Sequence, residues 1–430
     1  MFNRKSKVLA PIFVNIKKRR LVFGLRGFGI LDAAYPPMSM PSKCPLLGFL
    51  APDGTMWTTP HIIQAPTFTL KVPLQQRQLF RQSDLSADHA MDTITKFPST
   101  AIASIFIPTV EAFKPLLVAN KSEILSIPST TYSYGQHKRQ QLDVYEECTH
   151  SKSSPIIIFF YGGGLNRGDK IVPHIPSSLV YHNLGAFFAK RGVTTIVADY
   201  RRVTDVALGT GEDAVFPSGG EDVRAVLEWL ESTYLGSSNN NTQKPRDVFL
   251  MGNSAGGVHV STYLLDPRFD NQRRALQGSK LCSLRGAVLL SVPLDFKESA
   301  PERSEILHAY WPQNLSGTDQ QSSLDLFCPT GLLRTRKARK ESMDISQFAD
   351  LGIPKILVML GKLDPDDEII DPNKRFLSLW EECFGSGQGI EVVWVEGHNH
   401  ISPPFALMTG DKQGEDWGEH VVEWMKTLQS

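Results

Sequence analysis

Short apolar runs alternate with amphipathic stretches from residue 130 to the end of the chain. The run at 156–160 is continuously apolar and ends in glycines, which is typical of a strand buried on both faces of a parallel sheet. The stretch at 221–234 places valine and leucine side chains on one face of a helix. This repeated alternation predicts an α/β fold, with a mostly parallel, doubly wound sheet and helices on both faces.

The same pattern places the individual elements. Strands are predicted at 156–160, 193–198, 248–251, 287–291, 356–360 and 390–395, with edge strands at 132–134 and 141–145. Helices are predicted at 179–190, 221–234, 255–265, 372–383 and 417–428. Residues 295–347 interrupt the alternation of predicted strands and helices with polar, basic and proline-containing sequence. An insertion of that length is typical of a lid or binding element. Its basic residues at 334–340 are interpreted as a solvated helix face.

A serine motif lies between a predicted strand and a predicted helix. The sequence G-N-S-A-G at 252–256 follows the strand at 248–251 and opens the helix at 255–265. It is the G-x-S-x-G nucleophile elbow in the strand–turn–helix context that the motif requires. Its turn is sharp, so glycines at both ends avoid side-chain clashes, and Ser254 is lifted above the sheet near the positive end of the helix. We therefore predict that Ser254 is a nucleophile.

A glycine-rich loop, Y-G-G-G at 161–164, follows the strand at 156–160. Consecutive glycines expose backbone N–H groups with no side chain in the way, which is what an oxyanion hole needs. A simple turn and a phosphate-binding loop are the alternatives. The loop lacks the G-K-[ST] ending of a nucleotide site and continues into Asp169, which argues against the phosphate-binding alternative.

An acylating serine needs a base, and the base needs an orienting carboxylate. In a fold with this elbow, the carboxylate and then the histidine follow later strands. Asp364 comes soon after the strand at 356–360 and is the favoured carboxylate. Asp366 and Asp367 are the alternatives and are expected to be solvated.

Two histidines follow the strand at 390–395. We favour His400 as the base. His398 is expected to be a supporting or a surface histidine. The residue pattern alone leaves the choice between them open.

Together these motifs resemble the hormone-sensitive-lipase-like esterase group of α/β-hydrolases, with a particular likeness to its kynurenine formamidase and fungal carboxylesterase branch. The matching segments are F-F-Y-G-G-G at 159–164, D-Y-R at 199–201, G-N-S-A-G-G at 252–257, the acid loop at 361–364 and N-H at 399–400. The resemblance covers roughly residues 120–430 and does not include 1–84. One departure is Tyr161, which stands where the family usually has histidine.

The resemblance implies roles for individual residues. Ser254 is the nucleophile, His400 the base and Asp364 the orienting acid, and the amides of Gly163, Gly164 and Ala255 form the oxyanion hole. It also implies two-step acyl transfer without a metal or an organic cofactor.

Three functions are compatible with the motifs. The favoured one is a serine carboxylesterase acting on a small or medium acyl ester. An arylformamidase acting on a formyl-amide such as formylkynurenine would use the same site. A non-catalytic binding protein of this fold is the third, although such proteins characteristically lose the histidine that is retained here.

Positive and negative charges are distributed unevenly along the chain. Its 430 residues include 45 Lys+Arg and 45 Asp+Glu, so no overall field favours nucleic acid as a partner. Residues 1–84, however, carry a net charge of +9 and contain no glutamate, whereas the rest carries −9. We predict a basic, proline-rich, poorly ordered extension over 1–84 and a catalytic domain over 85–430, with 295–347 as its lid insertion. A mitochondrial transit peptide is the alternative interpretation of the N-terminus.

Cysteine content and hydropathy bear on location and partners. The five cysteines are odd in number and form no CxxC pair, which argues against a zinc site or a disulfide framework and favours reduced thiols in the cytoplasm. No run of 18 consecutive apolar residues occurs, so no integral membrane span is predicted. The expected partner is a small-molecule ester or amide substrate, and the oligomeric state is left open.

Overall fold

The computed structural model describes residues 90–146, 153–205, 209, 211–212, 214–236, 244–313, 322–343 and 348–429. The predicted N-terminal extension at 1–84 lies outside these residues. So do parts of the predicted lid insertion, at 314–321 and 344–347.

Eight strands form one sheet in the order β1-β2-β4-β3-β5-β6-β7-β8. They are β1 Ser129–Ser133, β2 Gln141–Tyr145, β3 Ile156–Phe160, β4 Thr194–Ala198, β5 Arg246–Asn253, β6 Cys282–Leu290, β7 Lys355–Leu363 and β8 Ile390–Asn399. Strand β2 runs antiparallel to both of its neighbours, and all pairs from β4 to β8 are parallel. The carboxyl ends of six parallel strands therefore share one edge, where the predicted motifs lie.

Helices connect and cover these strands. They are α1 Ala90–Thr95, α2 Ile102–Ala119, α3 Lys121–Ile124, α4 Leu179–Ala189, α5 Ser218–Trp229, α6 Ala255–Leu265, α7 Asp270–Gln277, α8 Ser304–Tyr310, α9 Ser323–Phe327, α10 Pro329–Met343, α11 Asp371–Phe384, α12 Ser402–Ala406 and α13 Lys412–Leu428. Single π-helical turns follow α5 at Leu230–Leu235 and precede α11 at Asp366–Ile370.

The centre of the sheet is buried on both faces. Every residue of β3, β4 and β5 is buried. Burial of this kind removes apolar side chains from water on two sides at once, which explains why β3 is a continuous apolar run rather than an alternating one. The predicted parallel, doubly wound sheet with helices on both faces is confirmed.

Helix α2 was not predicted from the sequence because Pro108 and Pro115 lie inside it. Proline removes a backbone donor and disfavours a helix interior. Here the apolar side chains of Ile105, Phe113 and Leu117 are buried against the domain, which offsets that cost.

Among the described residues, α2 is also the one helix that has the length and composition of a membrane span. Its mean hydropathy is 1.6, and 39% of it is buried in the domain. Length and composition alone are weak evidence for a span, because the core helix of a globular protein meets the same criteria. Glu111 and Lys114 interrupt the apolar run in its sequence.

The basic stretch of the insertion falls on α10, and its interpretation as a solvated face was wrong for one residue. Arg334 and Arg339 are exposed, but Arg336 is buried. Its Nε donates to the Leu265 carbonyl oxygen at 2.7 Å, and its guanidinium pairs with Asp270. A buried guanidinium needs such partners, so Arg336 ties the insertion to the helices that follow the elbow.

Candidate active site

The elbow lies between β5 and α6, as predicted. Ser254 has φ 50° and ψ −121°, a conformation that is strained for a residue with a side chain. A Cβ at Gly256 would lie 2.1 Å from the Phe160 carbonyl oxygen, and one at Gly252 would lie 2.4 Å from the Cα of Gly257. The glycines of the motif are therefore required by close backbone approach, and the turn they permit presents Ser254 half-buried at the sheet edge.

Three predicted residues meet in a chain of hydrogen bonds. The Nε2 atom of His400 lies 2.9 Å from Ser254 Oγ, and its Nδ1 lies 3.1 Å from Asp364 Oδ1. Asp364 follows β7 and His400 follows β8, so neighbouring parallel strands deliver both side chains to the end of β5. The imidazole is 3% exposed and the carboxylate 0%, which shields this pair from water.

The alternative residues lie elsewhere. Asp366 and Asp367 are exposed, as expected. His398 was expected to be a supporting or a surface histidine, and because it is fully buried the surface alternative is wrong. Its Nδ1 lies 2.8 Å from Ser402 Oγ, and burial lowers its pKa to about 4, which keeps the ring neutral. It supports the loop that carries His400.

Asp364 is held on the side opposite the histidine. Its Oδ2 accepts hydrogen bonds of 2.7 Å from the Ser291 hydroxyl and from the Gly361 amide. Ser291 follows β6, is fully buried and has φ 49°. Sequence reasoning missed this serine, although a polar residue at the end of a buried parallel strand is the same kind of signal that identified Asp364.

The glycine-rich loop lies directly against the elbow. A Cβ at Gly162 would lie 3.1 Å from the Cβ of Ser254. Gly163 and Gly164 both have positive φ, at 157° and 62°. The amide of Ala255 is in the first turn of α6, where a helix offers its own N–H groups no acceptor. The three amides predicted for the oxyanion hole thus come from two segments that pack together beside Ser254.

The histidine loop is also anchored to α2. Asn399 donates from Nδ2 to Thr109 Oγ1 at 2.9 Å, and its Oδ1 accepts from the amides of Ile401 and Ser402 at 3.0 Å each. Thr109 is buried. Sequence reasoning missed this contact because it had placed no helix at α2.

Metal ligation has no support in the part of the chain that the structure describes, where no group of three or more His, Cys, Asp or Glu side chains is arranged to hold an ion. The groups that meet at Ser254 are its hydroxyl, an imidazole, a carboxylate and backbone amides. This set can activate a hydroxyl and stabilise a developing oxyanion.

The chain is similar in sequence to one protein family and in structure to several solved esterases. The family model BD-FAE, which describes α/β-hydrolase esterases, matches residues 142–364. Esterase B from Lactobacillus rhamnosis is 16% identical over 76% of this chain and 96% of that chain, with a TM-score of 0.50. An esterase of the bacterial hormone-sensitive lipase family is 15% identical over 81% of this chain and 99% of that chain, with a TM-score of 0.47. Carboxyl esterase 2 from the mycorrhizal fungus Tuber melanosporum is 17% identical over 70% of this chain and 88% of that chain, with a TM-score of 0.46.

The likeness to esterase B, at its low identity, concerns the fold alone. This chain has a mostly parallel eight-stranded sheet covered by helices. The predicted α/β-hydrolase class is confirmed.

Proposed function

The chain belongs to the BD-FAE family of α/β-hydrolase esterases, and we propose that it hydrolyses carboxylic esters with Ser254, His400 and Asp364 as its catalytic triad. Family membership makes it a carboxylic ester hydrolase. The observation that supports the triad is the pair of hydrogen bonds made by His400, 2.9 Å to Ser254 Oγ and 3.1 Å to Asp364 Oδ1. We further propose a small or medium acyl group as the substrate class.

The first half-reaction forms an acyl-enzyme. Ser254 Oγ attacks the carbonyl carbon of the ester while His400 Nε2 takes the hydroxyl proton. Negative charge develops on the carbonyl oxygen and is stabilised by the amides proposed for the oxyanion hole, those of Gly163, Gly164 and Ala255. His400 then returns the proton to the departing alcohol.

The second half-reaction releases the acid. Water, deprotonated by His400, attacks the acyl carbon, and the same amides stabilise the second oxyanion. The bond between the acyl carbon and Ser254 Oγ then breaks, and His400 Nε2 returns the proton to Oγ, which frees the carboxylic acid and restores the enzyme. Asp364 accepts a hydrogen bond from Nδ1–H throughout, which fixes the tautomer and stabilises the imidazolium. Because Ser291 and Gly361 occupy the other carboxylate oxygen, only Oδ1 faces the imidazole.

The test is hydrolysis of p-nitrophenyl esters of increasing acyl length by the wild-type chain and by Ser254→Ala. We expect activity on short chains in the wild type and its loss in the variant, with unchanged thermal unfolding. A fluorophosphonate probe should label the wild type but not the variant. Hydrolysis that survives the substitution would contradict the triad.

The same panel tests the substrate class. Formylkynurenine is added beside the esters, because an arylformamidase would use the same nucleophile. Turnover of the formyl-amide well above that of every ester would replace the proposed substrate class and leave the triad intact.

A further inference from the structure

Arg139 lies in the turn between β1 and β2 and has no part in the triad, yet its guanidinium is buried beside the glycine-rich loop. Its Nε donates to the Tyr200 carbonyl oxygen at 3.1 Å. Its Nη2 donates to Tyr161 Oη at 2.7 Å, to Asp199 Oδ1 at 2.5 Å and to the Gly168 carbonyl oxygen at 3.3 Å. One cation thus contacts the end of β4 and two separate points of the loop that follows β3.

Those two points are the beginning and the end of the loop proposed to form the oxyanion hole. Tyr161 directly precedes Gly162, and the loop folds back on itself at Gly168. A Cβ at Gly168 would lie 2.5 Å from the Gly162 carbonyl oxygen and 2.7 Å from the Tyr161 ring. Between them, the Arg167 amide donates to the Gly163 carbonyl oxygen at 2.9 Å. Fixing both ends therefore fixes the amides in between.

Arg139 contacts the start of the loop through the side chain of Tyr161, which stands where the resembled group usually has histidine. Its hydroxyl donates to Asp199 and accepts from Arg139. Burial, together with the charge of Asp199, raises the pKa of Tyr161 well above its ordinary value, so the phenol keeps the proton it donates. The Tyr200 hydroxyl donates to the Tyr161 carbonyl oxygen at 2.7 Å and holds the backbone at the same place.

We infer that Arg139 is a positioning residue for ester hydrolysis, which holds both ends of the glycine-rich loop, through Tyr161 and Gly168, so that the amides of Gly163 and Gly164 face the oxyanion. This inference rests on the proposed function. Arginine suits the role because its planar fork donates in several fixed directions at once. Lysine keeps the charge but cannot span the same acceptors.

Loss of the Arg139 contacts is expected to weaken stabilisation of the transition state. Removal of one oxyanion-hole donor costs about 10²–10³ in turnover, so a displaced loop should cost a substantial part of that. We expect Arg139→Lys to lower kcat about 10- to 100-fold, and Tyr161→Phe about 10-fold, with KM changed by less than about 3-fold. A purely structural arginine would lower the amount of folded protein without this division between kcat and KM.

The experiment measures kcat and KM for a short-chain p-nitrophenyl ester and the inhibition constant of an alkyl boronic acid. The boronate forms a tetrahedral adduct on the serine and therefore probes the same amides. Its affinity should weaken in the same proportion as kcat/KM in both variants. Arg246→Lys is the matched control, because Arg246 is 9% exposed against 8% for Arg139. Arg246 is the first residue of β5, and its Nε donates to the carbonyl oxygen of Ser154, just before β3, at the edge of the sheet opposite Ser254.

The outcomes separate the two claims. Unchanged kcat and boronate affinity in Arg139→Lys, or an equal loss in Arg246→Lys, overturns the positioning role while the triad stands. If Arg139→Lys does not fold, Tyr161→Phe decides alone, because it removes a single hydroxyl. If the wild type neither hydrolyses esters through Ser254 nor binds the boronate, the proposed function is wrong and the positioning role falls with it.

Discussion

The hydroxyl of Ser291 lies 2.7 Å from Oδ2 of Asp364, on the side of the carboxylate that does not face His400. The two residues are 73 positions apart and meet because β6 and β7 are parallel neighbours whose carboxyl ends share an edge. A carboxylate with both oxygens bonded has one orientation. The serine therefore decides how Asp364 presents its other oxygen to the histidine.

Ser291→Ala should consequently weaken both catalysis and stability. A hydrogen bond to a charged group contributes about 1.5–3 kcal/mol, so we expect the free energy of unfolding to fall by about 2 kcal/mol and kcat by about 10-fold. Ester kinetics and denaturant unfolding check the two effects. Ser291→Gly serves as the companion variant, because it also lacks the hydroxyl but relieves the φ of 49°. Wild-type kcat in both variants would show that Gly361 alone orients the carboxylate.

The sequence was sufficient to predict the sheet and the residues that meet at its edge. Ser254 lies in a turn whose glycines have a local steric reason, and Asp364 and His400 follow apolar runs that end where the sheet ends. Each of these signals lies within a few residues of the side chain it identifies. The choice between His398 and His400, like that of Asp364 against Asp366 and Asp367, needed coordinates, because residues of one loop cannot be ranked without knowing which way each side chain points.

Ser291 follows a buried parallel strand and carries the same kind of signal as Asp364, but two other supporting residues could not be predicted in this way. Thr109 and Arg139 contact partners that are distant in sequence, and an isolated threonine or arginine has many structural uses. Helix α2 was hidden further by its two prolines, whose unfavourable local effect is outweighed by burial of its apolar face. The roles of such residues depend on tertiary contacts, which the local sequence pattern does not reveal.

Thr109 provides a test of whether α2 takes part in catalysis by fixing the histidine loop. Thr109→Val keeps the shape but removes the oxygen that accepts from Asn399 at 2.9 Å. The loss should leave a buried amide N–H without its acceptor, which costs about 1–3 kcal/mol. We expect a fall of that size in the free energy of unfolding and a several-fold fall in kcat, measured by chemical denaturation and ester kinetics.

The matched control is Thr262→Val on α6. Thr262 is equally buried, and its hydroxyl donates to the Val258 carbonyl oxygen of its own helix at 2.9 Å. This variant should lose stability without a specific loss of kcat. Equal kinetic losses in the two variants would mean that the Thr109 contact has no special connection to His400.

Buried His259 should make stability depend on acidity. Burial, and then the charge of Arg201, lower the pKa of this histidine to about 3, against an ordinary value of 6.5. As the pH falls below 6.5, the unfolded chain takes up a proton that the folded chain refuses. Protonation therefore favours the unfolded state, with a slope of about 1.4 kcal/mol per pH unit between these two values.

The comparison that isolates this group is wild type against His259→Gln. The advantage of the wild type in free energy of unfolding should shrink by about 1.4 kcal/mol for each pH unit below about 6, because glutamine does not titrate. Urea unfolding at several pH values from 7 to 4 measures it. A difference between the two proteins that is constant with pH would contradict a neutral, buried His259.

Gly256 allows the close packing of the elbow on the glycine-rich loop to be tested directly. A Cβ at this position would lie 2.1 Å from the Phe160 carbonyl oxygen, and backbone atoms cannot move aside as a side chain can. Gly256→Ala should therefore separate α6 from β3, lowering the free energy of unfolding by about 3 kcal/mol and abolishing ester hydrolysis. Gly278→Ala is the control, since the nearest atom to its Cβ is 3.8 Å away. Thermal unfolding and p-nitrophenyl ester assays of both variants decide the matter, and full activity in Gly256→Ala would disprove the tight contact on which the proposed oxyanion hole depends.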